Sequence, residues 1–415
     1  MCVAGYVLMS VGRVHQLFPG LELVHPAVLL GLLGILLYVL DKRSDRRAAR
    51  LLVPTTKCLA LLLFWMILAI PDALRPGNSV ALVFNNFVKT ALMYMVVAGS
   101  VRGVRDVERL AMTYLAGAVI YSAVVVLRFN LGTGDAWRLG KLYYYDANDF
   151  ATFVVTAIPF GVYFLHAGRR PAIRFLAGVA LGILTLGFVW SGSRGGFIAL
   201  LAVALFIVAR YSAIPLRWRV GATALVAVVL LGTASDRYWE QMGTITSDDD
   251  YNHTSETGRL QIWSRGLDYM LENPILGVGP DNFPVAEGTL SPFAERQQWG
   301  IGVRWNAAHN AFIQIGAELG LPGLVLFISI IACAFAALRR AGRNESRAAE
   351  AGSQAARVTP ALTASLLGFV VGAFFLSLAY SEMLYTLIAF AVALEKVTFS
   401  PACAPTMAQP VAAIR

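Results

Sequence analysis

Residues 313–343 read IQIGAELGLPGLVLFISIIACAFAALRRAGR. The run 313–338 holds a single charged residue, Glu318, and Arg339, Arg340 and Arg343 follow it directly. About 20 apolar residues suffice for a helix to cross a bilayer core of about 30 Å. A basic block at one end is what keeps that end on the cytoplasmic side. Run and block recur along the whole chain, and this recurrence decides the fold class: all-α, and polytopic in a membrane.

Working outward, apolar runs fall at 1–18, 25–40, 51–70, 80–101, 110–129, 149–166, 175–190, 195–209, 220–232, 313–338, 360–379 and 382–394, which predicts about 12 transmembrane helices. Alternate short connections carry the basic residues: Lys42, Arg43, Arg46, Arg47 and Arg50; Arg102, Arg105 and Arg109; Arg169, Arg170 and Arg174; Arg210, Arg217 and Arg219; Arg339, Arg340, Arg343, Arg347 and Arg357. With Lys396 and Arg415 these are 21 of the 34 basic residues, against only Arg13, Arg75, Arg128, Arg138, Lys141 and Arg194 in the opposite short loops. An even number of spans then puts both termini in the cytoplasm. The first run lacks a basic n-region and an A-x-A site, so it does not read as a cleaved signal peptide.

Composition agrees. Of 415 residues 57% are hydrophobic and 14% charged, where a soluble domain carries about 25% charged residues. An ordinary soluble enzyme, a disordered chain and a nucleic-acid binder are excluded. The net charge of +9 becomes a topology signal once mapped. Cys2, Cys58, Cys333 and Cys403 lie too far apart for a disulfide framework or a zinc site. Three parts are expected: helices in 1–232, a large periplasmic segment 233–312, and helices with a cytoplasmic tail in 313–415. No inverted pair of broken helices of the transporter kind is visible.

The outer segment 233–312 holds eleven acidic residues against Arg237, Arg259, Arg265, Arg296 and Arg304. Its first readable helix starts within Thr254–Arg259 and ends at Glu272, stopped by Asn273-Pro274. Leu260, Trp263, Leu267, Met270 and Leu271 give it an apolar face that could lie on the membrane domain. Trp299 and Trp305 would suit a membrane interface. A second helix begins near His309-Asn310 and is broken by Gly320-Leu321-Pro322-Gly323 before the next span.

Four motifs occur in order: Arg138-x-Gly140 with Asp146-Ala147-Asn148-Asp149; Ser191-Gly192-Ser193-Arg194-Gly195-Gly196; Gly258-Arg259-x3-Trp263 with Pro274-x2-Gly277-x-Gly279; and His309-Asn310-x9-Gly320-x2-Gly323. Together they resemble the bacterial O-antigen ligase and polymerase family, over 138–323 by motif and nearly the whole chain by span layout. The resemblance implies a GT-C-like glycosyltransferase of the bacterial inner membrane with a periplasmic active site. The implied donor is a glycan on undecaprenyl diphosphate, and a ligase passes it to lipid A–core. It also implies inversion at the sugar carbon, no metal and no other cofactor. Besides these substrates the expected partners are membrane lipids and no nucleic acid.

Breaking a sugar–diphosphate bond requires positive charge near the phosphates and a base for the acceptor hydroxyl. Arg194 sits in a Gly/Ser turn where a long cation has no packing role, although snorkelling is the competing account. Arg259 and Arg265 are six residues apart, about 120° around a helix, and need not face one point. Arg265 could contact substrate or merely pair with Asp268. His309 titrates near neutrality and suits a general base; the plain alternative is a packed helix-end histidine. These considerations make His309, Arg194 and Arg259 the expected catalytic residues. Arg265, Arg138, Asn310, Asp146, Asn148 and Lys89 are the expected substrate-binding ones.

Asn148 and Asp149 could instead only cap a helix. Lys89 lies mid-span, where a charge is costly and functional by default; it would hold a lipid phosphate or pair with an unidentified carboxylate. Asp248-Asp249-Asp250 near His253 is the rival motif, a metal site or a solvated charge run, and the latter is favoured. No outer Arg is followed by ten residues and a Gly, the spacing common in polymerases, which tilts the reading toward a ligase. A transporter of the same lipid-linked glycan is the non-enzyme alternative, and only Lys89 speaks for it.

Overall fold

Proline opens several helices of this chain, at Pro26, Pro54, Pro76 and Pro171, where a missing N–H costs nothing and the fixed φ is already helical. In a computed structural model the described residues are 1–41, 52–128, 137–139, 142, 144–168, 170–211, 214–247, 255, 258–292, 294, 306–350 and 358–398. Among them are helices and turns and no strand. The helices are α1 Cys2–Ser10, α2 Pro26–Leu40, α3 Pro54–Leu68, α4 Pro76–Ser100, α5 Val104–Arg128, α6 Ala147–Ala167, α7 Pro171–Ser191 and α8 Arg194–Arg210. There follow α9 Leu216–Thr233, α10 Asp236–Gly243, α11 Arg259–Glu272, α12 Phe283–Thr289, α13 Ala311–Glu350, α14 Thr359–Ala373 and α15 Glu382–Thr398.

Each apolar run is met by a helix. Among the described residues seven helices are long and apolar enough to cross a membrane (α2 with the turn before it, α4, α5, α6, α7, α9 and α13), and α3 and α14 are shorter apolar helices. This fits a polytopic membrane protein. The centre is α6, apolar all round and buried along nearly its whole length against α5, α7, α8 and α14, as such a helix must be. By contrast α2 and α9 bury little and stand at the periphery.

Two expectations need correction. The first run, read as one span over 1–18, is α-helical only over Cys2–Ser10, then turns and ends in a short 3-10 helix, Val14–Leu17. Gly12 lies against Gly117 of α5, so close that a Cβ would come within 2.9 Å of the Gly117 Cα. Arg13, at φ 50°, turns toward Glu382 of α15 and pairs with it at 3.4 Å. A guanidinium inside an apolar bundle requires such a partner. The second correction concerns α11: Ile262, Gly266 and Tyr269 are its buried face, whereas Leu260, Leu267 and Leu271 are exposed.

The glycine motifs of the outer segment close a backbone junction. Gly277 and Gly320 both adopt positive φ, 67° and 66°. A Cβ on Gly277 would strike the Glu318 carbonyl carbon, and one on Gly320 would strike the Ile275 carbonyl oxygen. Only glycine tolerates both the conformation and the approach. The resulting contact lets Val278 N–H donate to Ala317 O at 2.9 Å, Gly279 N–H to Glu318 O at 3.0 Å and Leu321 N–H to Pro274 O at 2.9 Å. The first two satisfy carbonyls freed where α13 breaks, and the third satisfies the N–H freed there. Beside them Ile262, Tyr269, Val278, Phe283, Ala286, Ala308 and Ala317 form a small second core.

Candidate active site

The turn between α7 and α8 sets the first half of the site. Gly192, at φ 56°, ends α7, and the Ser193 hydroxyl accepts from Gly196 N–H at 3.1 Å, so α8 begins at Arg194. Trp137 and Arg138 lie over Gly192; a Cβ there would come within 2.8 Å of the indole. Arg138 Nε donates to Ser191 O at 2.7 Å and its Nη2 to Asn148 Oδ1 at 2.9 Å. Asp146 Oδ1 accepts from the N–H groups of Asn148 and Asp149 at 2.7 and 2.8 Å and caps α6. Arg194 Nη1 donates to Thr244 Oγ1 at 2.7 Å, just beyond α10.

The second half is held by Trp263, whose Nε1 donates to Ala308 O at 3.0 Å while its ring meets Phe374 edge-on. That ties α11, which begins at Arg259, to the chain ahead of α13. His309 has φ 48° and donates its backbone N–H to Ser377 Oγ at 2.8 Å. Asn310 is buried, and its Oδ1 accepts from Phe312 and Ile313 N–H at 2.9 and 3.1 Å. Its side-chain oxygen thus caps α13 rather than standing free for a ligand.

The two halves act on each other electrostatically. Burial pushes the His309 imidazole below the usual histidine range, the Arg259 charge pushes it further, and Asp146 opposes both. Burial likewise lowers the Arg138 guanidinium; Asp146 opposes this and Arg194 adds to it. Arg138, Asp146, Asn148, Arg194, Arg259 and His309 therefore face one region. The N-termini of α6, α8, α11 and α13 end there too, and a helix N-terminus carries about half a positive charge. Helix dipoles, arginines and a basic nitrogen make this a candidate anion-binding pole beside a proton acceptor.

Arg265 stands apart. It does not pair with Asp268 as the sequence allowed; its Nε and Nη2 grip Glu287 at 2.8 and 2.6 Å, and Tyr269 O–H donates to the same carboxylate at 2.8 Å. The hydrogen bond to Glu287 raises the guanidinium pKa and outweighs burial, so Arg265 keeps its charge. Glu287 is 1% and Arg265 11% exposed, and removing one partner of such a pair costs about 3–5 kcal/mol. Arg265→Ala is accordingly expected to lower the apparent Tm of the detergent-solubilised protein. Removing Glu287 as well should restore part of the loss, because the uncompensated buried charge is then gone.

Lys89 follows a π-helical segment, Ala81–Phe87, and its charge acts on Glu382, which Arg13 also engages. Glu382 is therefore a carboxylate within electrostatic reach of Lys89, and its ion pair is with Arg13. Arg13 further lies over the Tyr144 ring at 3.7 Å, on the same loop as Arg138 and Asp146. Sequence reasoning missed Glu382, Thr244, Ser377 and Glu287. One signal was available: Arg13, Lys89 and Glu382 are each the lone Asp, Glu, Lys or Arg of an apolar run.

Among the described residues no group of three or more His, Cys, Asp or Glu side chains is placed to hold a metal ion. Asp248, Asp249, Asp250, His253, Gly140, Trp299 and Trp305 lie outside the described residues.

No curated protein matches the chain. Residues 178–328 match the family described as O-antigen ligase. That window contains Arg194, Arg259, Arg265, His309 and Asn310 and leaves Lys89, Arg138, Asp146 and Asn148 outside it. Residues 178–328 are thus similar to the O-antigen ligase family, and helices of membrane type lie on either side of them.

Proposed function

We propose that the protein is an O-antigen ligase, a glycosyltransferase that moves a glycan from undecaprenyl diphosphate to lipid A–core on the periplasmic face of the bacterial inner membrane. The carrying observation is the convergence of four helix N-termini with Arg138, Arg194 and Arg259 around His309. In this reading His309 takes the proton of the acceptor hydroxyl. The hydroxyl oxygen attacks the anomeric carbon from the side opposite the diphosphate. The carbon–oxygen bond to phosphate breaks, and its electron pair leaves with undecaprenyl diphosphate, giving inversion. Arg194 and Arg259 bind the diphosphate before the step and stabilise the charge that grows on it. Arg138, with Asp146 and Asn148, shapes the glycan and phosphate contacts, and Lys89 together with Glu382 lies toward the carrier.

The chain would adopt a GT-C-like arrangement of about twelve spans. Residues 1–232 and 313–415 would form the membrane domain and 233–312 the periplasmic segment, with both termini cytoplasmic. Cysteines introduced singly should be labelled from outside at Asp249 and from inside at Arg347. Labelling of the first position from the cytoplasm alone would invert the assignment.

The reaction itself is tested with purified protein, lipid-linked glycan and lipid A–core in excess chelator. Glycan joined to the core is the expected product. Glycan lengthened on its carrier instead would make the protein a polymerase, and activity restored only by Mg²⁺ or Mn²⁺ would move the chemistry to Asp248–Asp250.

A further inference from the structure

Between α14 and α15 the chain reads Phe374-Phe375-Leu376-Ser377-Leu378-Ala379-Tyr380-Ser381. Turns shaped by their own sequence are rich in Gly, Pro, Asn and Asp. This connection has none of them and no charged residue, so contacts with the rest of the molecule set its course. Those contacts reach each part of the candidate site. A Cβ on Gly195, next to Arg194, would come within 2.7 Å of the Phe375 Cβ, so the turn that starts α8 closes directly on the connection. The Trp263 ring of α11, about one turn on from Arg259, meets Phe374 and Phe375 at centroid distances of 5.7 and 6.4 Å. Ser377 Oγ accepts the His309 N–H at 2.8 Å. Gln314 Oε1 accepts from Ala379 N–H at 3.4 Å and Glu318 Oε2 from Tyr380 O–H at 2.6 Å, which pins the connection to α13.

His309 is the strained point of this assembly. Its φ of 48° lies in the left-handed region, which is disfavoured by a factor of about 5–30 for an L residue other than glycine. Such a conformation persists where the surroundings over-determine it. Trp263 fixes the residue before it through Ala308 O, and the cap of α13 fixes the residue after it, Asn310. Ser377 acts on His309 itself. Without that acceptor the backbone is free to leave the left-handed region and carry the imidazole out of its half-buried place.

We propose that Ser377 is a positioning residue for His309, and that the 374–381 connection is the template that sets His309 against Arg194 and Arg259. Ser377 acts through the His309 backbone. The proposal rests on the reading of His309 as the base, and it adds to the site a segment outside the family-matched residues 178–328.

The test follows the imidazole as well as the reaction. The full chain, with isotope-labelled histidine and in nanodiscs, is titrated by NMR, and His309 is identified as the signal missing from His309→Ala. Burial and Arg259 of α11 lower its pKa and Asp146 at the start of α6 opposes them, so the wild-type midpoint should lie below 6.5. Ser377→Ala should release the ring to solvent and move the midpoint up toward 6.5. Ser377→Thr, which keeps the accepting oxygen, should stay at the wild-type value. In the transfer assay Ser377→Ala should lower turnover about tenfold at unchanged donor affinity. It should add nothing in a His309→Ala background. Should Ser377→Ala not fold, Ser377→Cys, near in volume and a weak acceptor, carries the same test. A His309 midpoint unmoved in the folded Ala or Cys variant overturns the proposal. So does an equal loss of turnover with and without His309, which marks a merely structural role. Full transfer by His309→Ala, with the midpoint still shifted by Ser377→Ala, upholds the positioning and sinks only the base reading.

Discussion

His309→Ala should lower glycan transfer by about 10²–10⁴-fold, the usual worth of a general base, while donor binding stays near the wild-type level. In the proposed mechanism the imidazole meets the acceptor hydroxyl, and three arginines and four helix N-termini remain for the diphosphate. The pH profile supplies an independent check. Burial and Arg259 hold the His309 pKa below its ordinary 6.5, so the neutral, proton-accepting form persists as the pH falls through that value. The acid limb of kcat/KM should therefore lie below 6.5. Arg259→Gln should shift it upward, because the positive charge that disfavours imidazolium is gone. Full transfer by His309→Ala removes the base assignment. A selective loss of donor binding there would make His309 a phosphate ligand.

Arg194→Ala and Arg259→Ala should fail differently, weakening donor binding as well as turnover. A hydrogen bond to a charged group is worth about 1.5–3 kcal/mol, so donor affinity should fall about tenfold to a hundredfold. Turnover should fall further, because charge on the diphosphate grows in the transition state. Lysine at either position should recover part of the loss, since it keeps the charge but not the planar fork. Thr244→Val separates positioning from charge at Arg194. It removes the 2.7 Å contact that orients the guanidinium while leaving the cation in place. A loss clearly smaller than that of Arg194→Ala is expected. The measurement is donor affinity beside initial rate in nanodiscs; unaltered donor affinity in both Ala variants would sink the diphosphate assignment.

Much of the candidate site was legible because its residues lie at helix starts. Asp146, Ser193 and Asn310 cap α6, α8 and α13 by local hydrogen bonds spanning two or three residues, and such signals are written in short windows of sequence. Arg194, Arg259 and His309 came with the motifs around those caps. Arg265 was not legible in the same way. Its helix phase fitted either solvent or substrate, and the deciding partner, Glu287, is twenty-two residues on and inside the small second core. The leucine face of α11 misled for a related reason. Periodicity shows that a helix has an apolar side, but the tight approach of Gly266 to Ile313 and Phe283 selects the side that packs.

By itself the sequence determined that the chain is helical and membrane-embedded, and it fixed the order of its helices and the expected direction of each. Those properties follow from hydrophobic run length and from the placement of Lys and Arg, both summed over nearby residues. Tertiary structure alone decided which distant residues meet. Arg13 bends the first run to reach Glu382, 369 positions away. Gly277 seats against Gly320's helix break, and Arg138 and Arg194 come to share Asp146's corner with Arg259 and His309. The reason is that an unpaired charge or backbone group inside an apolar bundle is costly. The fold therefore settles where such groups find partners, and those partners are set by packing in space, which spacing along the chain does not encode.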